Sequence, residues 1–439
     1  MSQSAMAMAG SARWLALYVV LMPFMSALAP SAGLPLPLIV LLTALPWLLA
    51  QREGPTLSRA VRMDAGFLLA FCLGVLAVLW GPVPLGGKHY NYIAAVAVSY
   101  GLLLVAVRSW LCHPGITLSA IGSCAHLGLT VLAVAVILEF VLASFFGYFF
   151  ADLIPFAHAD LTVADLVMEP FKRPRAFSPE PGFTALAFEC LWPLTLLAPA
   201  RRARHVLYAT AFALLASAAA MVAFVAALSI IWLARSRSLK GLLLAVVGAL
   251  AIGLLVSLSD AAADVAWSVL GRKFDLDAAL TDDVAEGGDA VTAFERASTY
   301  FLGLQLLAGF PFGIGWGSLG EAFATEVSLP DVGTLRGSGM LSLYLDVAVA
   351  SGWLGFLGVV WFVGSRVAAL LRSSNPAATP VACALLTVAC HHMLITEFQF
   401  PFLWFAIAVA DRLLLEPAKP RGIIAGSREA SVHPRVPAP

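Results

Sequence analysis

The stretch 172–190 places two arginines and a glutamate directly before an apolar run. Arg173 and Arg175 are separated by one proline, and Glu180 stands at the start of the apolar run. Guanidinium groups bind phosphate oxygens through paired, charge-assisted hydrogen bonds, and a nearby carboxylate can orient them or accept a proton. These residues suit chemistry on a phosphorylated lipid, in which the arginines stabilise a pyrophosphate leaving group. The alternative is an interfacial cluster that reaches anionic headgroups, a role that fits Lys172 best.

A second group of candidates lies further along the chain. Arg296 is in a stretch with helical periodicity that runs into the glycine-rich segment 311–317. A helix bearing Arg296 would form a lid that completes a two-sided phosphate or sugar site, and a solvated surface arginine is the equal alternative. The glycines lack the preceding strand and following lysine of a phosphate loop, so they indicate a tight turn that returns the chain to the membrane. Arg336, just before an apolar run, is a candidate for binding a headgroup or a ligand.

Histidines and acids within apolar segments are further candidates. His391 and His392 are adjacent, so on a helix they point to different faces and cannot chelate one metal ion well. His392 is a candidate for substrate binding or proton transfer, and the more common alternative is a buried, hydrogen-bonded histidine. Carboxylates at membrane depth face a cavity or a partner, which predicts a transport path or pairing with arginines. Four acids have this placement: Glu139, Glu189, Asp346 and Asp411.

Composition indicates the class of protein that must position these residues. The chain is 61% hydrophobic and 12% charged, with a mean hydropathy of +0.90. These values exclude an ordinary soluble globule and indicate a polytopic, all-α integral membrane protein. The first apolar run, from Trp14, lacks a convincing cleavage site and is expected to remain as a helix. The six cysteines lie in or beside apolar segments, so we expect neither a disulfide framework nor a metal site.

Apolar runs of about 20 residues predict the individual membrane spans. They lie near 14–30, 34–50, 65–80, 92–107, 116–146, 183–199, 241–258, 340–364, 380–397 and 401–415. The run 206–234 is too long for one straight span, and basic residues flank both of its ends. Two short helices that turn near 217–220 keep both basic clusters on one side, and the total becomes about twelve spans.

The distribution of basic residues predicts the orientation. With both termini inside, 18 of the 26 lysines and arginines are cytoplasmic. The others are Lys88, Lys172, Arg173, Arg175, Arg272, Lys273, Arg296 and Arg336. Two large loops, about 147–182 and 259–339, then face outward from a membrane domain that covers 1–415. The second is long enough to be a folded lid or active-site element, and the tail 416–439 is expected to be disordered in the cytoplasm.

Three motifs in this order resemble those of a known family. Arg173-Pro-Arg-Ala-Phe-Ser-Pro-Glu180-Pro181 before a membrane helix resembles the external Arg…Phe-x-Glu-Pro element of bacterial O-antigen and exopolysaccharide polymerases. Glu295-Arg296 followed by Pro311-x-Gly313-x-Gly315-x-Gly317 looks like the second-loop signature that these polymerases share with O-antigen ligases. Gly352-Trp-Leu-Gly355 looks like the Gly-x-x-Gly of the following span. The resemblance covers roughly 170–360, and Ala176 stands where the family usually has glycine.

The resemblance implies a GT-C-like helical fold and metal-independent glycosyl transfer without a cofactor. It implies a donor glycan on undecaprenyl pyrophosphate, a lipid-linked acceptor, and an active site on the periplasmic side of the bacterial inner membrane. Membrane lipids and a chain-length regulator protein are further candidate partners, and nucleic acid is not expected. The catalytic candidates are Arg173, Glu180 and Arg296, and the substrate-binding candidates are Arg175, Arg336 and His392.

Two alternatives to a polymerase stay open. Ligases carry a histidine shortly before the Gly-x-x-Gly span, but the stretch 336–344 has none, which favours a polymerase over an O-antigen ligase. A transporter or flippase of lipid-linked oligosaccharide is typically built from repeated halves with charges at the membrane midplane. This chain has no evident repeat, and its most unusual charges lie in the outer loops.

Overall fold

Helices make up nearly all of the residues that the computed structural model describes. These residues are 13–24, 36–50, 57–113, 115–150, 167–168, 171–176, 178, 181–199, 201–236, 300, 302–326, 342–396 and 400–415. Three predicted site residues, Glu180, Arg296 and Arg336, lie outside them. So do the predicted span 241–258 and the tail 416–439.

The predominantly helical fold predicted from the sequence is confirmed. The helices are α1 (Arg13–Phe24), α2 (Leu36–Ala50), α3 (Leu57–Ala77), α4 (Gly87–Leu111), α5 (Leu118–Phe146), α6 (Pro181–Thr195), α7 (Arg202–Leu214), α8 (Ala218–Ser236), α9 (302–309), α10 (Leu319–Glu326), α11 (Leu343–Arg372), α12 (Ala378–His391) and α13 (Pro401–Leu415). Two strands of two residues each, β1 (Val167–Met168) and β2 (Phe171–Lys172), form a small antiparallel ladder in the first predicted outer loop.

Three helices of the described part, α4, α5 and α11, are long and apolar enough to cross a membrane. They correspond to the predicted spans 92–107, 116–146 and 340–364. Shorter apolar helices are found at Arg13–Phe24, Ala219–Arg235 and Ala378–His391. The total of about twelve spans stays a prediction.

The centre of the fold consists of α6, α12 and α13, whose side chains are buried on nearly every face. Such helices are apolar all round because each face packs against another helix. Around them, α5, α8 and α11 expose large apolar side chains. Examples are Leu127, Val134, Leu138, Val225, Leu228, Leu354, Leu357 and Trp361. A belt of this kind suits contact with lipid hydrocarbon, in which exposing apolar surface has no hydrophobic cost.

The α3 and α11 helices pack closely through small residues. A Cβ atom on Gly66 would lie 2.2 Å from the carbonyl oxygen of Gly358, and one on Gly358 would lie 2.4 Å from that of Gly66. Glycine is therefore required on both helices where they cross. Without a strong hydrophobic drive between helices in lipid, close backbone contact of this kind supplies much of the packing energy.

The predicted division of 206–234 into two helices is confirmed, and these helices are α7 and α8. Its turn lies at 215–217, slightly before the predicted position at 217–220. Ala216 has a positive φ of 44°, which reverses the chain tightly after α7. Ser217 is buried and its hydroxyl accepts a hydrogen bond from the backbone N–H of Ala220 (3.4 Å), which caps the start of α8.

The α11 helix is broken at Gly352, where φ is 71° and ψ is −177°. The break leaves the carbonyls of Val349 and Ala350 without helical partners, and the glycine-rich segment 311–317 supplies them. The N–H groups of Ile314 and Gly315 donate to these two carbonyls, each at 2.9 Å. Irregular backbone at membrane depth must be satisfied within the protein, and this pairing satisfies it.

The glycines of 311–317 form a tight turn, as predicted. Gly313, Gly315 and Gly317 have φ values of 88°, 93° and 85°. A Cβ on Gly313 would lie 2.5 Å from the carbonyl oxygen of Ala350, and one on Gly315 would lie 2.5 Å from a side-chain carbon of Val78. Their φ angles and their close contacts with α3 and α11 explain why these positions are glycine. Packing therefore accounts for the motif without a bound phosphate.

A buried cluster of two aspartates and two arginines joins α3, α4, α11 and α13. Arg366 lies between the carboxylates of Asp64 and Asp411, donating to each at 2.7 Å, and Arg108 donates to them at 2.8 and 3.1 Å. The remaining Arg366 donors reach the carbonyls of Met63 and Phe362, so all five of its N–H groups are used. The charge pattern predicts Arg108, Arg366 and Asp411 at or near the inner side, and the orientation of the cluster stays a prediction.

Candidate functional site

Arg173 lies on a short segment, residues 171–176, which we call the arginine strap. Its Nε and Nη2 atoms donate to the carbonyl oxygen of Leu215 (3.3 and 3.2 Å), and Nη2 also donates to that of Ala216 (3.2 Å). A cation at the C-terminal end of α7 satisfies carbonyls left over by the helix and interacts favourably with its dipole. Arg173 therefore fastens the strap to the α7–α8 turn.

Arg175 has a different partner, Phe149, which lies shortly after α5. It is only 4% exposed, and its guanidinium carbon lies 5.8 Å from the centre of the Phe149 ring. The ammonium of Lys172 lies 5.6 Å from the same ring centre. One aromatic ring thus holds two cations through its negative face, and the Lys172 N–H donates to the hydroxyl of Ser144 at 3.2 Å.

The buried carboxylate of Glu139, near the C-terminal end of α5, binds the backbone of the strap. Its Oε2 accepts from the N–H of Arg175 (2.7 Å) and from that of Ala176, and its Oε1 accepts from the N–H of Phe150 (2.9 Å). The N–H groups of two consecutive residues thus converge on one oxygen, as in an anion-binding nest, and here Glu139 occupies it. Ala176 itself has a φ of 51°, in the left-handed region.

Glycine is the residue best suited to the conformation at Ala176, because an L side chain costs roughly 1–2 kcal/mol in the left-handed region. Alanine at this position therefore holds a conformation that glycine would adopt without strain.

The strap leads directly into α6. The hydroxyl of Thr184, in the first turn of α6, donates to the carbonyl of Arg175 at 2.6 Å, and the Ser178 N–H donates to the same carbonyl at 3.1 Å. Pro181 begins the helix, at the position where a missing N–H has no cost. Nearby, the rings of Phe183 and Phe400 stack with centres 4.5 Å apart.

The described part of the second predicted outer loop is attached to neighbouring helices at two places. Tyr300 precedes α9, and its hydroxyl donates to the carbonyl of Met393, the residue after His392. At the other end, Ser318 donates to the carbonyl of Ile314 (2.7 Å) and contacts Nε2 of His89 at 3.0 Å. The described part of this loop therefore lies against the C-terminal end of α12 and the N-terminal end of α4.

The two adjacent histidines have different partners, as predicted from their spacing. His392 Nδ1 donates to the carbonyl of Val388 at 2.8 Å, and its ring lines an internal cavity of about 10 Å³ beside Tyr344 and Trp404. A cavity of this size holds about one water molecule. His391 instead pairs with the buried carboxylate of Glu189, with 2.9 Å between Nδ1 and Oε2.

Three of the six predicted site residues are described, and the structure brings two of them together. Arg173 and Arg175 share the strap, whereas His392 lies at the end of α12 and is buried and hydrogen-bonded. The role of Glu139 in holding the strap was missed by sequence reasoning. The available signal was an acid at membrane depth, which predicts a partner without naming it.

The described residues contain no group of three or more side chains suited to hold a metal ion. Comparisons of the chain with protein-family models and with curated proteins find no match. Evidence for function therefore comes from the motifs and from the contacts described above.

Proposed function

We propose that this protein is a polysaccharide polymerase of the bacterial inner membrane, with a GT-C-like fold of about twelve spans. It joins oligosaccharide repeat units carried on undecaprenyl pyrophosphate, at a site that opens to the periplasm between the two outer loops. The observation that carries the proposal is the arginine strap. Two arginines, one residue apart, are held there by a buried carboxylate, an aromatic ring and a helix end.

The proposed reaction needs positive charge more than it needs any other catalytic group. An acceptor hydroxyl attacks the anomeric carbon of the donor sugar, and the bond from that carbon to the pyrophosphate oxygen breaks. The hydroxyl proton passes to a base, for which Glu180 is the candidate. Negative charge grows on the leaving pyrophosphate, so positioned cations favour the transition state over the bound substrate. Arg173 and Arg175 supply this charge from the strap, and Arg296 supplies it from the second loop.

The fixed geometry of the strap supports catalysis in preference to loose headgroup binding. A headgroup contact needs only a long, mobile side chain, whereas Arg175 is almost fully buried and its backbone N–H is bound by Glu139. Donors that are positioned in advance require no reorganisation as the reaction occurs, which is the main source of electrostatic catalysis.

The deciding experiment measures chain extension by the purified protein. Lipid-linked repeat units are supplied in detergent without added metal, and the products are resolved by length. Native protein is expected to extend them, and Arg173→Ala is expected to lose about 3 kcal/mol of transition-state stabilisation, roughly a hundredfold in rate. Arg173→Lys is expected to rescue poorly, because an ammonium cannot form the planar two-donor contact.

The matched control is Arg202→Ala, which removes an exposed arginine at the start of α7. It is expected to keep native activity. Because Arg173 also binds the α7–α8 turn, each variant must first show the native elution volume and melting temperature. Full extension by a correctly folded Arg173→Ala protein would contradict the assignment.

Two other outcomes would identify the alternatives. If native protein extends nothing in detergent but moves units across a sealed bilayer, it is a transporter. In a deletion strain, single repeat units should accumulate if a polymerase is lost. Finished long chains would instead indicate a lost ligase, and units trapped on the cytoplasmic face a lost flippase.

A further inference from the structure

The buried carboxylate of Glu139 connects both ends of the first outer loop. One oxygen binds the N–H of Phe150, where the chain leaves α5, and the other binds the N–H groups of Arg175 and Ala176, where the chain returns. Glu139 is fully buried. A carboxylate in this environment is stable only with good partners, and three N–H donors supply them.

This carboxylate also binds the backbone beside a strained residue. The left-handed conformation of Ala176 is uncommon for alanine and persists only where surrounding contacts support it. The shared oxygen of Glu139 binds the N–H groups of Arg175 and Ala176, and it thereby fixes the peptide group that precedes the strained residue. Phe149, next to a bound N–H group, is thereby brought under the cations of Arg175 and Lys172.

From these contacts we propose that Glu139 is the positioning residue of the arginine strap. It touches neither substrate nor leaving group; it sets the strap backbone, and the backbone sets where both guanidinium groups point. Arg173 then extends to the α7–α8 turn and Arg175 to Phe149. The inference depends on the proposed function for its catalytic consequence, but its structural consequence can be measured separately.

The structural consequence is protection of one peptide bond from trypsin. Trypsin cuts after arginine, and the bond between Arg175 and Ala176 lies in the segment that Glu139 binds. In Glu139→Gln the side chain has one acceptor oxygen in place of two, and its NH₂ group is a donor that cannot bind a backbone N–H group. The N–H groups at the two ends of the loop therefore lose the carboxylate that accepts from them. We expect native protein in proteoliposomes to resist cutting at this bond, and Glu139→Gln to be cut at least tenfold faster.

The matched control is Glu321→Gln, the same change at a half-exposed carboxylate that pairs with Lys88 at 3.2 Å. It is expected to keep both the protection and the activity. Glu139→Asp, which retains two oxygens on a shorter side chain, is expected to restore part of the protection. The Asp variant also keeps the test valid if the Gln variant folds poorly. Native resistance at Arg175 in both Glu139 variants would overturn the proposal.

The catalytic consequence is read from inhibition by inorganic pyrophosphate. The Glu139 variants keep both arginines but displace the strap. They should therefore bind pyrophosphate about tenfold more weakly than native protein, and their kcat should fall by a larger factor. The melting temperature of Glu139→Asp should stay near the native value. If Glu139→Gln is cut rapidly but keeps native kcat and pyrophosphate binding, the positioning role is wrong. If native protein does not extend lipid-linked repeat units, the proposed function is wrong. The trypsin experiment still decides whether Glu139 holds the strap in place.

Discussion

Adding one methyl group to α11 is expected to have opposite effects at two of its glycines. At Gly352 the backbone has φ 71° and ψ −177°, a region that only glycine populates freely. A Cβ there would lie 2.4 Å from the carbonyl oxygen of Pro311 and 2.6 Å from Phe312. At Gly364, twelve residues later, a Cβ would have no heavy atom within 4 Å and the helix is regular.

The magnitudes follow from these two environments. Alanine at Gly352 incurs backbone strain of about 1–3 kcal/mol, and its Cβ forces the 311–317 segment away from the break. That displacement endangers three hydrogen bonds: Ile314 to Val349, Gly315 to Ala350, and Trp353 to Pro311. Each has a net value of about 0.5–1.5 kcal/mol, so the backbone strain and the three hydrogen bonds together amount to a loss of about 2.5–7.5 kcal/mol. Alanine at Gly364 should instead stabilise the helix by about 0.5–1 kcal/mol.

The assay is the free energy of unfolding, measured by SDS titration of purified protein in mixed micelles with tryptophan fluorescence. Trp353 follows the break and Trp316 lies in the segment 311–317 that pairs with it, so both contribute to the signal from the eleven tryptophans of the chain. We expect Gly352→Ala to unfold at a lower SDS fraction than native protein and Gly364→Ala at an equal or higher one. An unchanged midpoint for Gly352→Ala would refute the reasoning, because it would mean that the break in α11 does not require glycine.

Three further predictions concern the cluster, the orientation and the strap. Asp411→Asn leaves two buried guanidinium groups facing one carboxylate and should lower the free energy of unfolding by about 3–5 kcal/mol. Adding Arg366→Met should restore part of this stability. Strictly additive losses in the double variant would show that Asp411 and Arg366 are not coupled. A membrane-impermeant maleimide should label Lys88→Cys but not Asn375→Cys in spheroplasts, when the native cysteines of the protein have been replaced. The reverse pattern would show that the predicted orientation is inverted. Ala176→Gly should raise the free energy of unfolding or leave it unchanged, since it removes left-handed strain of about 1 kcal/mol. If Ala176→Gly instead lowers the free energy of unfolding as much as Ala176→Val does, the φ of residue 176 is not positive.

Local patterns predicted those features that depend on neighbouring residues. The hairpin α7–α8 followed from the length of an apolar run and its basic ends. The turn at Gly313, Gly315 and Gly317 followed from glycine spacing, because positive φ is a property of individual residues. The different partners of His391 and His392 followed from the rotation of about 100° per residue in a helix.

Partners that are distant in the sequence could not be predicted in the same way. Glu139 is 36 residues from Arg175, whose N–H it binds, and Asp64 is 302 residues from Arg366. The sequence shows that an acid at membrane depth needs a partner, but choosing that partner requires the helix packing. The break at Gly352 was likewise hidden, because the span around it is apolar and continuous and its irregular backbone is stabilised by the distant segment 311–317.

The spacing of the four charges in the buried cluster has a consequence for how the chain enters the membrane. Asp64 and Arg108 are 44 residues apart, and Arg366 and Asp411 are 45 apart. A lone buried charge in an inserting helix is costly, yet each end of the chain carries an aspartate and an arginine that can pair with each other. The two ends can therefore insert as independent units whose buried charges are already paired, and they join when the arginine of one reaches the aspartate of the other. A gene divided within the second outer loop is expected to produce two fragments that insert separately and reassemble in the same membrane.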